Sequence, residues 1–127
     1  YTLLLGAIGG ISLIVGGVGV MNVMLVAVTE RRREIGIRMA IGARRRSIVT
    51  MFLVEALCLS VTGGAIGTLV GIGTAYAAAS VAQWTFVLSA AAIPLGAGVS
   101  ALVGVVFGYL PARQASRVDP IEALRYE

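Results

Sequence analysis

Residues 56–112 read ALCLSVTGGAIGTLVGIGTAYAAASVAQWTFVLSAAAIPLGAGVSALVGVVFGYLPA, a run of 57 residues without one charge. As a single helix it would be roughly 85 Å long, while a hydrocarbon core of about 30 Å takes about 20 residues. The run must therefore fold back and cross twice. The break falls at Ser80-Val81-Ala82-Gln83-Trp84-Thr85, where polar residues and the only Trp interrupt the small-residue pattern. Upstream, residues 1–29 are a second uncharged stretch, long enough for one more crossing. Ten basic and six acidic residues among 127 cannot cover a soluble domain, for which about a quarter charged is usual. With 58% apolar residues, 17 Gly and a mean hydropathy of +0.96, disorder is excluded as well.

The expected fold is all-α and membrane-embedded, with three transmembrane helices. Its segments are a span at 1–28, a loop at 29–46, a span at 47–79, a short turn at 80–88, a span at 89–110 and a tail at 111–127. Ser89 is the expected N-cap of the third span, and Pro111 lies just past its end. The chain starts with Tyr and lacks a charged n-region ahead of its apolar run, so it reads as a piece of a longer protein.

All ten basic residues are Arg. Arg31, Arg32, Arg33, Arg38, Arg44, Arg45 and Arg46 lie between spans one and two, and Arg113, Arg117 and Arg125 follow span three. The turn between spans two and three has none. The positive-inside rule then puts the loop and the tail in the cytoplasm. Tyr1, Tyr76, Trp84 and Phe86 fall near the outer interface, and Phe52, Phe107 and Tyr109 near the inner one.

The residue inventory closes off most chemistry. Without His or Lys and with one Cys, the chain has no catalytic base of the triad type, no Walker A lysine, no internal disulfide and no metal-ligand set. No catalytic, cofactor or metal residue is assigned. Nucleic-acid binding by the Arg loop lacks aromatic interleaving. A pore-lining span would carry polar residues along one face, whereas these carry Gly and Ala.

Small residues recur every four positions. Gly63, Gly67, Gly71, Ala75 and Ala79 do so in span two, and Ala92, Gly96, Ser100, Gly104, Gly108 and Ala112 in span three. Span one has Gly6 and Gly10, then Ser12 and Gly16. Such rows let helix backbones approach in lipid. They are read as packing faces, either static or sliding. Glu55, the only charge inside a span, lies about 12 Å along its helix from Ser47, near the inner interface, where an ion pair with the Arg cluster is expected. Cys58 reads as a small buried apolar residue.

The loop ERRREIGIRMAIGARRRS, residues 30–47, sends mixed signals. Glu34 and Arg38 form a well-oriented i,i+4 pair, while Ile35, Ile37, Met39 and Ile41 alternate as in a strand. A lone strand has no partner here, so a helix over Glu30–Ala40 is expected, with Gly42 as its stop. Anionic lipid accounts for the Arg residues, but four large apolar residues at the water interface indicate a protein partner. In the tail, Asp119-Pro120-Ile121-Glu122 has capping-box logic and predicts a short helix from Pro120 to about Tyr126.

The runs TERRREIGIRMAIGARRRSI, GGVGVMNVMLVAV and FLVEA, with the closing YLPARQASRVDPIEALRYE, resemble the C-terminal membrane part of the macrolide-exporter (MacB/FtsX-like) ABC transporter permeases. The resemblance covers essentially the whole chain. It implies the last three of four spans of a bacterial inner-membrane permease, and it makes residues 30–42 a coupling helix seated on an ABC ATPase. Glu30, Arg31, Glu34, Ile35, Ile37, Arg38, Met39 and Ile41 would contribute to that contact. It further implies a permease homodimer or heterodimer. ATP and Mg would bind the fused or separate ATPase, and motion would pass to an extracytoplasmic domain for efflux or release of substrate. A periplasmic adaptor and outer-membrane duct are further partners. The other reading is a non-transporting membrane scaffold anchored by its Arg loop.

The charge asymmetry makes a topology test. In a Cys58→Ala background, a Gln83→Cys probe is expected to react with an impermeant thiol reagent added outside intact cells, and an Arg45→Cys probe is not. The opposite labelling pattern would reverse the orientation.

Overall fold

The computed structural model describes residues 1–125. They form five helices: α1 (Thr2–Glu30), α2 (Arg32–Ala40), α3 (Arg45–Ala82), α4 (Ala92–Ser116) and α5 (Pro120–Arg125). Among the described residues there is no strand. α1, α3 and α4 are each long and apolar enough to cross a membrane. Helices suit these sequences because each backbone group finds its partner inside the segment. Hydroxyls follow suit: Thr62 donates to the Cys58 carbonyl at 2.8 Å and Thr68 to that of Gly64 at 2.7 Å.

The element boundaries differ from expectation for identifiable reasons. α3 runs on through Ser80, whose hydroxyl donates back to the Ala77 carbonyl at 2.7 Å and so does not break the helix. It stops where Gln83 turns left-handed, with φ 55°. The amides of Gln83 and Trp84 both reach the Ala79 carbonyl there. The non-helical stretch is thus 83–91 rather than 80–88. Ser89 is not a side-chain cap: its carbonyl accepts from the Ala92 amide at 3.0 Å, and α4 begins three residues later than expected.

Pro111 does not end α4, which continues to Ser116, about 9 Å beyond the expected end at Leu110. A proline removes one ladder bond and crowds the preceding turn. Here Pro111 is fully buried, and Ala112, Ala115 and Ser116 beyond it are buried too. Packing on that last stretch outweighs the local preference to stop, as it does in many membrane helices.

α4 lies between α1 and α3. It packs antiparallel to α3 through three close approaches. A Cβ on Gly104 would run into Ser60, one on Gly108 into Ala56, and one on Gly64 into Ser100. Ser100 Oγ donates to the Ser60 carbonyl across the seam at 2.7 Å. On α4 the contact row Ser100, Gly104, Gly108, Ala112 is the expected one. On α3 it is Phe52, Ala56, Ser60 and Gly64, one residue round from the expected Gly63, Gly67 and Gly71. A Cβ at any of those three, or at Gly96, meets nothing within 4 Å. One residue is about 100° of helix rotation, so the two rows of α3 face different neighbours.

The same shift occurs in α1. Gly6, Gly10 and Gly16 are open, while Gly17 lies against the Phe107 ring. Phe52 is fully buried inside the bundle, and Cys58, expected to be buried, is exposed. The core of Met24, Val28, Ile35, Ile48, Phe52, Ala56, Ala112 and Ala115 gathers where α1, α3 and α4 meet α2. At the opposite end Tyr76 and Phe86 pack edge to face, with ring centres 5.8 Å apart.

Gly104→Leu or Gly108→Leu should therefore lower the thermal stability of the detergent-solubilised protein. A loss of about 1–3 kcal/mol or more is expected, the usual range for overpacking. Gly67→Leu should change it by less than about 0.5 kcal/mol, as an open surface site does. Equal losses at all three positions would remove the seam as the stabilising contact.

Candidate functional site

The charged segment between α1 and α3 is a helix, shorter than expected. α1 continues through Glu30, and Arg31 forms the corner. Its amide donates to the Ala27 carbonyl at 3.0 Å, closing α1, and its carbonyl accepts from Ile35 at 2.9 Å, opening α2. Glu30 thus ends α1 and does not belong to α2. At the far end Ile41 caps α2 and Gly42 takes φ +101°, a conformation that favours glycine. The Gly42 amide reaches the Met39 carbonyl at 3.2 Å and the Ala43 amide that of Arg38 at 3.0 Å. The expected stop at Gly42 is where the chain turns into α3.

Helical coiling resolves the strand-like alternation. Two residues along a helix is about 200°, so Ile35 and Ile37 point to opposite sides. Ile35 is 1% exposed, and Met39, one turn on, packs on the same core. Ile37 is 44% exposed and Ile41 is 82% exposed. The expected four-residue apolar patch is thus two seats that fix α2 to the bundle and two side chains directed away from it. Arg38 Nη2 donates to Glu34 Oε1 at 2.9 Å, the expected i,i+4 pair, with both side chains about half exposed. Its Nη1 also lies 3.3 Å from Met51 Sδ on α3.

Glu55 has an assigned partner. Arg31 Nη1 donates to Glu55 Oε2 at 3.2 Å, tying the α1–α2 corner to α3. Asp119 caps α5 as expected: its Oδ1 accepts from the Ile121 amide at 3.0 Å, and its carbonyl from Ala123 at 2.9 Å. Glu122 is exposed at the rim of a cleft of about 640 Å³. Arg32, Arg33 and Arg117 line that cleft with Glu30, Asp119 and Glu122, so its charges balance. Tyr126, the expected end of α5, lies outside the described residues. Among the described residues no group of His, Cys, Asp or Glu could hold a metal ion.

One contact had no sequence expectation. α2 packs mainly on α5, and at the crossing Gly36 faces Ala123. The available signal was Gly36 itself, since glycine inside a short helix costs about 1 kcal/mol relative to alanine and is kept where backbones approach.

The FtsX-like permease C-terminal family model matches residues 6–120. The chain is 53% identical over 126 residues to the macrolide export ATP-binding/permease protein MacB of Bdellovibrio bacteriovorus, covering 99% of this chain and 19% of that protein. It is 58% identical over 126 residues to the MacB protein of Syntrophobacter fumaroxidans, again 99% of this chain and 18% of the relative. It is 52% identical over 126 residues to the uncharacterized ABC transporter permease YknZ of Bacillus subtilis, or 99% of this chain and 32% of that protein. The chain thus spans about a fifth of the MacB relatives and about a third of YknZ.

Arg31 and Glu55 are both more than a third exposed, so their pair should add little to stability. In a double-mutant cycle with Arg31→Gln and Glu55→Gln, read by thermal unfolding in detergent, the coupling energy should be about 1 kcal/mol or less. A larger value would make this pair a main tie between α1 and α3.

Proposed function

This chain belongs to the FtsX-like permease family, and on that basis we propose that it is the C-terminal membrane part of an ABC transporter permease, with α2 docking on a cytoplasmic ATPase. The division of α2 into two faces carries the reading. Ile35 and Met39 seat it on the bundle, leaving Ile37, Ile41 and the Glu34–Arg38 pair for a partner. A helix that only fixed topology would need its arginines but no outward isoleucines.

In the proposed cycle ATP and Mg bind the associated ATPase, which is either fused to the permease or separate. Its movement displaces α2, and the spans carry that movement across the inner membrane to an extracytoplasmic domain. Nothing in this chain acts on the nucleotide: it has no Lys, no His and no Walker A loop. The Arg-rich corner and the tail face the cytoplasm in this reading, and two permeases work as a homodimer or heterodimer. The names of the MacB relatives support macrolide-type efflux as the substrate class. An adaptor and an outer-membrane duct would complete such a pump in a Gram-negative cell.

The test is transport-coupled ATPase activity of the complete transporter in proteoliposomes. Losing the partner of a charge buried at an interface costs roughly 2–5 kcal/mol, and a rim charge far less. Glu34→Arg, Arg38→Glu and Ile37→Asp should each abolish coupling while the spans still insert. Arg45→Gln should be mild, because Arg45 opens α3 beyond the Gly42 turn, between Arg44 and Arg46. Normal turnover by all three α2 variants would make the segment a topology anchor and favour a membrane scaffold.

A further inference from the structure

α2 is joined covalently to α1 through Arg31 and to α3 through residues 41–44, yet neither is its main packing partner. That partner is α5, which follows α4. At their crossing a Cβ on Gly36 would lie 2.5 Å from Ala123 Cβ, 3.7 Å from the Pro120 carbonyl oxygen and 3.8 Å from Ala123 Cα. The backbone of α2 thus rests on α5 with only the Ala123 methyl between them. Ala123 is 5% exposed.

The link from α5 back to α4 is short and hydrogen-bonded at each step. Only Arg117, Val118 and Asp119 separate the two helices. The Arg117 amide donates to the Gln114 carbonyl at 3.1 Å and the Val118 amide to that of Ala115 at 3.4 Å. Val118 packs on the core, and Asp119 caps α5. By contrast, the link from α2 to α3 turns through glycine at φ +101° beside an open pocket lined by Ile41, Gly42 and Ala43. The tail therefore gives α2 a packed, hydrogen-bonded route to α4 besides its joins to α1 at Arg31 and to α3.

We propose that α5 is a strut, fastened to α2 at the Gly36–Ala123 crossing, which makes α2 and α4 move as one body. This rests on the docking of α2 on an ATPase. Force applied to α2 reaches α4 through α5, and α4 carries it to α3 along the Gly104–Ser60 and Gly108–Ala56 seam.

The experiment again uses the complete transporter in proteoliposomes. Gly36→Ala adds a methyl against Ala123 and should lower transport-coupled ATPase activity by about tenfold, within the range that overpacking a close contact produces. The ATPase should still co-purify, because the outward face of α2 is intact. Ala123→Gly in the same protein removes the opposing methyl and should restore turnover. Normal activity of Gly36→Ala, or no rescue by Ala123→Gly, would overturn the strut. If those results coincide with uncoupling by Ile37→Asp and Arg38→Glu, the strut alone falls. If the latter two variants are also normal, the docking of α2 falls and the strut with it.

Discussion

The close approach of α3 and α4 is the contact on which the remaining structure depends. Lipid tails are as apolar as leucine, so helices in a bilayer gain little from hiding apolar side chains against each other. Contact and backbone proximity have to hold them together, and both need small residues at the crossing. Ala56, Ser60 and Gly64 on α3 meet Gly108, Gly104 and Ser100 on α4. The Ser100 hydroxyl adds a bond to the Ser60 carbonyl, of the kind worth about 0.6 kcal/mol on average between membrane helices. With α4 fixed on α3, Phe107 is placed to receive Gly17 of α1, and α4 becomes the middle helix of the three.

The seam also sets where the bundle is tight. The Gly108–Ala56 and Gly104–Ser60 pairs lie toward the Arg-rich corner and Gly64–Ser100 at mid-helix, and the buried core continues through Phe52, Ile48 and Ile35 to α2. Toward the other end α3 outruns its neighbour: at 38 residues it is about 57 Å long, well beyond the hydrocarbon thickness. In the outer half of α1, Leu3, Leu4, Leu5 and Ile8 are all exposed. Within these residues the buried core lies at the Arg-rich end of the bundle.

Most of the elements were legible because they rest on strong local signals. Uncharged runs identify spans, the Glu34–Arg38 spacing and Gly42 define a helix and its stop, and Asp119 before Pro120 defines a cap. The errors came where two local cues competed with packing. Ser80 and Pro111 both look like breaks, but Ser80 satisfies itself within its own helix, and the buried stretch around Pro111 carries α4 past it. The Ile35–Ile41 alternation looked like one apolar patch, and helical rotation divides it into an inner and an outer pair. In the candidate site, the charged residues and the four apolar ones could be named in advance, but not which two of the four face outward. The crossing of Gly36 and Ala123 could not, because the two lie far apart in the chain and Gly36 alone does not say what it meets.

What the sequence determined by itself was the number and kind of elements: three membrane helices, an amphipathic connector and a capped tail. Charge-free length and local capping chemistry do not depend on neighbours. Tertiary structure alone decided which face of each helix is used. α3 carries two small-residue rows about 100° apart, both suited to close packing. The choice of Ala56–Ser60–Gly64 over Gly63–Gly67–Gly71 depends on the depth and rotation at which α4 docks. Those two quantities are set by the whole bundle at once, since side chains from four helices meet in one core, and no window of sequence contains them.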